Sequence, residues 1–215
     1  MEHLDLTQSM ELYAEAREVI PGGSQTMSKR AEAFAMGAMP IYFSRGKGCR
    51  VWDIDGNEYI DYVSALGPII LGYCYPAVDE AVKRQVADGM IFPMLHPVEV
   101  EAAKAIIDMV PCAEMVRFFK TGAESTAAAA RIARGHTGKD LILSAGYHGW
   151  LDTWGAGNNP PADRGVPKCL KESIVTFAFG DMTSDKCLEA LLKKHKGEVA
   201  GIVMEPASYS TMDTG

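Results

Sequence analysis

A chain of 215 residues, 47% apolar and 23% charged, is long enough to bury a sizeable core and too mixed in composition to be disordered, and its net charge of −7 argues against nucleic acid as a partner. No apolar stretch approaches the roughly 20 residues that cross a bilayer, and the amino terminus opens on an acid-containing amphipathic segment, so a cytoplasmic protein off the membrane is expected. The five cysteines, Cys49, Cys74, Cys112, Cys169 and Cys187, are scattered with no Cys-x-x-Cys pair, which predicts free thiols in a reducing compartment.

In chain order, Leu6 to Val19 has helical apolar spacing, and Pro21-Gly22-Gly23 stops it. After an irregular polar stretch, Ile41 to Phe43 and Arg50 to Asp53 read as short strands. Asp55-Gly56-Asn57 reads as a hairpin turn into Glu58 to Asp61, giving a small antiparallel unit. Ala77 to Met90 and Pro97 to Val110 read as helices, each with a proline near its start, where a missing N–H costs nothing. The remainder alternates: strand Val116 to Lys120, helix Glu124 to Arg134, strand Leu141 to Ser144, strand Ile174 to Phe177, helix Leu188 to His195 and strand Val199 to Met204. Gly155 to Pro161 reads as loop. Such alternation predicts an α/β fold with a mainly parallel sheet covered by helices. Residues 1–75 form an amino-terminal segment and 76–215 the first part of a larger ligand-binding domain.

The strand ending at Lys120 runs into Thr121-Gly122-Ala123 and an alanine-rich helix. Unpaired N–H groups and the helix dipole there make an anion site, with Thr121 and Ser125 offering hydroxyl donors. In an open parallel sheet, ligands bind beyond the carboxyl ends of the strands. Thr121, Gly122 and Ala123 fall there, as do Tyr147 and His148 after the next strand and Glu205 after Ile202-Val203-Met204. A phosphate cradle, an aromatic plate and a carboxylate converging on one pocket suit a flat, phosphorylated cofactor.

Taken singly, each feature has a plainer reading. Gly122 serves any tight turn, Tyr147 a core with a local hydroxyl partner, His148 a hydrogen-bond bridge, and Glu205 a strand end at the surface. Their occurrence together and in order favours the pocket. Gly135-His136-Thr137-Gly138-Lys139-Asp140 superficially matches a P-loop, but its glycines are too close and it follows a helix instead of starting one. Gly155-Ala156-Gly157 lacks the third glycine of a dinucleotide fingerprint. The histidines have no paired spacing for a metal site, and no Gly-x-Ser-x-Gly elbow of a serine hydrolase is present.

Ile20-Pro21-Gly22-Gly23, Gly48 through Val51-Trp52-Asp53-Ile54-Asp55-Gly56-Asn57-Glu58-Tyr59-Ile60-Asp61-Tyr62, and Gly67-Pro68-Ile69-Ile70-Leu71-Gly72 resemble the class III pyridoxal-phosphate aminotransferases. Gly122, Glu124, Arg131, Ala133-Arg134-Gly135 and Tyr147-His148-Gly149 continue the resemblance in order. It is strongest to glutamate-1-semialdehyde aminomutase-like members and covers almost the whole chain. It implies a fold type I transferase, usually a homodimer, that binds pyridoxal 5'-phosphate and moves an amino group from a small-molecule donor to a carbonyl acceptor. It also implies that Gly122 and Ala123 hold the phosphate, that Tyr147 stacks on the cofactor ring, and that Glu205 lies near cofactor and substrate.

Departures accompany the matches. Ser24 to Phe34 is longer and differently arranged than the aminomutase loop, Ser64-Ala65-Leu66-Gly67 replaces a Ser-Trp-Gly pattern, and Ile91 to His96 also differs. These favour a relative with another substrate, with the aminomutase as alternative. The family's pyridine-pairing aspartate, its catalytic lysine and its small domain match positions beyond Gly215, and neither Lys120 nor Lys139 stands at the lysine position. The chain is therefore expected to be the amino-terminal half of the fold, incomplete and inactive alone; the other reading is a non-catalytic cofactor-binding or assembly fragment.

Overall fold

In the computed structural model, residues 4–155, 157 and 163–206 are described. They fall in two compact units, one running to His96 and one beginning at Pro97.

The first unit opens with helix α1 (Thr7–Val19), whose Tyr13 and Ala16 are buried. An antiparallel sheet follows, with strands β1 (Phe43–Lys47), β2 (Arg50–Asp53) and β3 (Glu58–Ile60) in that spatial order. The first strand lies further along than its apolar residues alone suggest. Arg45 pairs with Trp52 across the ladder, its guanidinium 3.8 Å from the indole centroid, a cation–π contact between the two strands. Asp53 is buried and accepts hydrogen bonds from Asn57 N (2.7 Å), Asn57 Nδ2 (2.8 Å) and the Tyr59 hydroxyl (2.8 Å), which fixes the turn between β2 and β3. Helix α2 (Pro76–Asp88) follows, with proline in its first turn.

The second unit contains helices α3 (Pro97–Met109), α4 (Gly122–Thr137), α5 (Asp152–Gly155), α6 (Lys168–Lys171) and α7 (Leu188–Lys194) and strands β4 (Leu141–Ala145), β5 (Ile174–Thr176) and β6 (Val199–Met204). The sheet is parallel in the order β5-β4-β6. Every residue of β4 is buried, as a strand covered on both faces must be, and this accounts for its nearly unbroken apolar run. Leu141, Leu143 and Ala145 pack with Phe177 and Leu191 on one face. Ile142 packs with Ala130 of α4, Trp154 and Ile174 on the other.

Two expectations change. Val116 to Lys120 makes no ladder among the described residues: β4 is flanked by β5 and β6, and without a neighbour to share hydrogen bonds an apolar run does not become a strand. Gly155 ends the short helix α5 instead of opening a loop; of the run after it, Gly157 lies in a turn, and residues 156 and 158–161 lie outside the described residues. The P-loop look-alike is a helix end, with Gly138 in the left-handed conformation donating its N–H to Arg134 O.

Candidate functional site at the carboxyl end of the parallel sheet

Helix α4 runs back along β4, so its first turn sits at the carboxyl end of that strand. Thr121 caps it: Thr121 Oγ1 accepts from Glu124 N (3.2 Å), and Glu124 Oε2 accepts from Thr121 N (2.8 Å). The leading N–H groups of a helix have no carbonyl partner within it. This reciprocal box satisfies those of Thr121 and Glu124 and leaves those of Gly122 and Ala123 without a partner among the described residues, at the positive end of a 16-residue helix. A Cβ at Gly122 would meet no described atom within 4 Å, so the side-chain position of Gly122 is open. The Ser125 hydroxyl, expected to face an anion, donates instead to Thr121 O (3.1 Å). The Thr121 hydroxyl accepts from the backbone and keeps its own proton.

Strands β4 and β6 end in register, Ala145 opposite Met204, and Glu205 N donates to Ala145 O at 3.1 Å. The segment 146–149 and Glu205 therefore leave the sheet side by side. Gly146 has φ +92°, and a Cβ there would fall 2.5 Å from Glu205 Oε2. Gly149 has φ +131°, and a Cβ there would fall 2.5 Å from Ala123 Cβ. Only glycine combines these backbone angles with such close approach, so the segment carrying Tyr147 and His148 is seated against Glu205 at one end and the first turn of α4 at the other.

Between those contacts, Tyr147 is 67% exposed, which removes the reading of its ring as a core aromatic. His148 is half-buried, its ring 5.0 Å from that of Trp154 at an interplanar angle of 60°. Its Nε2 is buried with no hydrogen-bond partner among the described residues. A buried imidazole nitrogen without a partner is costly.

Two further residues belong to this assembly. Thr126 Oγ1 accepts from Trp154 Nε1 (2.8 Å) and lies 2.6 Å from His148 O, linking α4, α5 and the Tyr147-His148 segment. The hint in the sequence is a hydroxyl placed just ahead of the alanine run 127–130. The capping box is likewise announced by Thr121-x-x-Glu124. The described residues contain no cluster of metal-ligating side chains.

The parallel sheet thus gathers a helix amino terminus, an exposed aromatic and a carboxylate at its carboxyl end, the edge at which open α/β sheets bind ligands. The chain belongs to the class III aminotransferases, whose family model matches residues 32–212. It is 40% identical over 209 residues to a 3-aminobutyryl-CoA aminotransferase of Cloacimonas acidaminovorans, covering 97% of this chain and 48% of that protein. A glutamate-1-semialdehyde 2,1-aminomutase of Chloroflexus aurantiacus is 38% identical over 208 residues, 90% of this chain and 45% of its own. Among solved structures, a transaminase with PLP bound superposes with a TM-score of 0.84 at 31% identity, over 96% of this chain and 49% of that one. An omega-transaminase from Sphaerobacter thermophilus gives 0.81 at 29%, over 94% and 48%. The fold is that of the fold type I transferases, and the chain spans about half the length of the curated relatives it matches.

Proposed function

We propose that the full-length protein is a pyridoxal 5'-phosphate-dependent aminotransferase, and that residues 76–215 supply the first part of its cofactor-binding domain, with 1–75 as an amino-terminal segment. The observation that carries this is the first turn of α4, where the capping box leaves the Gly122 and Ala123 N–H groups without a partner among the described residues and the side-chain position of Gly122 is open. These groups and the Thr121 hydroxyl suit a phosphate dianion. The exposed Tyr147 ring suits the face of a flat heteroaromatic ring.

When bound, the cofactor supplies the electron sink for amino transfer. This chain's residues do the holding. Gly122 and Ala123 bind the phosphate through backbone N–H, Thr121 Oγ1 donates to it, and Tyr147 excludes water from one ring face. His148 Nε2 offers a hydrogen bond to a polar cofactor or substrate atom, and Glu205 places a carboxylate at the edge of the same site. The departures at Ser24 to Phe34 and Ser64 to Gly67 support an amino donor and carbonyl acceptor other than those of the aminomutase. A cytoplasmic homodimer is part of the same proposal. Among the described residues no helix is long and apolar enough to cross a membrane.

Gly122→Val in the full-length protein places a branched side chain in the open space. It is expected to weaken pyridoxal phosphate binding at least tenfold, about 1.4 kcal/mol, in a fluorescence titration, with unchanged thermal unfolding of the cofactor-free protein. Wild-type affinity in that variant refutes the cradle.

A further inference from the structure

We propose that Thr126 and Trp154 are positioning residues: a hydrogen-bond relay from the Trp154 indole through the Thr126 hydroxyl to the His148 carbonyl sets the Tyr147-His148 segment on the first turn of α4. This deepens the reading of that turn as a pyridoxal phosphate site and rests on it for the cofactor, though not for the geometry.

Trp154 is 4% exposed, and its Nε1–H donates to Thr126 Oγ1 at 2.8 Å. With one lone pair engaged, the hydroxyl has one proton to donate. It lies 3.0 Å from Gly122 O, 3.1 Å from Ala123 O and 2.6 Å from His148 O. The helix carbonyls already serve α4's own ladder, and His148 O is the shortest contact, so the proton goes there. A buried indole N–H needs an acceptor, and a hydroxyl polarised by accepting donates more strongly. The relay therefore ties α5 and α4 to the residue directly after Tyr147.

The other contacts make the tie directional. The Trp154 ring lies against the His148 ring, holding the imidazole whose Nε2 has no partner among the described residues. Gly149 abuts Ala123, one of the two residues whose N–H groups have no partner among the described residues. Loss of the relay would leave the segment attached to the turn through Gly149 alone, free to rotate Tyr147 and His148 away from the cradle. Nothing in the chemistry of amino transfer requires a threonine or a tryptophan here; their effect is exerted through His148 and Tyr147.

The test uses the full-length protein in three variants: Thr126→Val keeps the shape and removes the hydroxyl, Thr126→Ser keeps the hydroxyl, and Trp154→Phe keeps a ring and removes the N–H. Amide exchange across residues 145–151 in the cofactor-free protein is the first readout. Pyridoxal phosphate affinity and the visible circular dichroism of the bound cofactor are the second. Thr126→Val and Trp154→Phe are expected to speed exchange in that segment, weaken binding about tenfold and alter the dichroism. Thr126→Ser restores all three to within about twofold, and combining Val and Phe adds little, because both remove one relay. Unchanged exchange in both Thr126→Val and Trp154→Phe overturns the proposal. So does wild-type cofactor binding in these variants when Tyr147→Ala weakens it. If Gly122→Val and Tyr147→Ala also leave cofactor binding unchanged, the functional reading fails, and the exchange measurement alone decides the relay. Should Thr126→Val unfold, Trp154→Phe and the Ser rescue carry the same comparison.

Discussion

The Tyr59 phenol shows how single residues in the small antiparallel sheet store pH dependence. Burial, then the hydrogen bond to Asp53 Oδ2 at 2.8 Å, pushes its pKa from 10.0 up to about 12. The folded state holds this proton more tightly than the unfolded state. The associated stability is therefore present in full below about pH 10 and lost as pH rises through about 12. Burial, then a bond to Asp61, raises Tyr73 as well, so its contribution is lost in alkali in the same sense. Tyr59→Phe should lower stability at neutral pH and flatten the decline between about pH 10 and 12 relative to wild type, measured by urea unfolding at stepped pH. An equally steep decline in the variant would show that Tyr59 does not titrate there as described.

At the scale of elements, α1 shows what a linear reading leaves out. Leu6 at its N-cap position makes no side-chain cap. The Thr7 N–H goes to Asp5 Oδ1 (3.0 Å), whereas those of Gln8 (2.6 Å) and Ser9 (3.1 Å) go to Asp55, in the turn between β2 and β3. The Ser9 hydroxyl also bonds Asp55. A carboxylate 47 positions from Gln8 thus caps the helix and complements its dipole. Asp55→Ala is expected to cost about 1–2 kcal/mol in urea unfolding and to speed amide exchange at Gln8 and Ser9. Unaltered exchange there would deny the cap. Sequence spacing discloses α1, α4 and β4, because periodicity, an apolar run and glycines report local preferences, and the ends of those same local patterns are what single out Gly122, Tyr147 and Glu205 as candidates. It could not disclose Asp55 on α1 or Trp154 on Thr126, which arise only when distant segments meet. It also made a strand of Val116 to Lys120, because apolar character is local while a ladder depends on a neighbour.

For the molecule as a whole, the decisive property is how much apolar surface the chain leaves uncovered. Val78, Val82 and Val86 stand at helical spacing on α2 and are 47%, 53% and 56% exposed, and no residue of that helix is buried. Ile91, Met94 and Leu95 after it are 93%, 80% and 85% exposed, and α3 also has no buried residue. Apolar helix faces of this extent drive self-association unless other protein covers them. The chain spans about half the length of the curated relatives it matches, and the proposed function assigns the lysine that acts as nucleophile and proton carrier in amino transfer to the part of those relatives that it does not match. The 215-residue chain expressed by itself should therefore bind a hydrophobic dye, elute as larger species in size-exclusion chromatography, and catalyse no amino transfer. Val82→Glu should reduce the association by placing a charge in the middle of the α2 stripe. Borohydride reduction in the presence of pyridoxal phosphate, followed by peptide mass spectrometry, should find no lysine labelled stoichiometrically. One lysine labelled to completion, together with turnover by this chain alone, would locate the catalytic group within residues 1–215 and overturn the assignment of catalysis to the remainder of the fold.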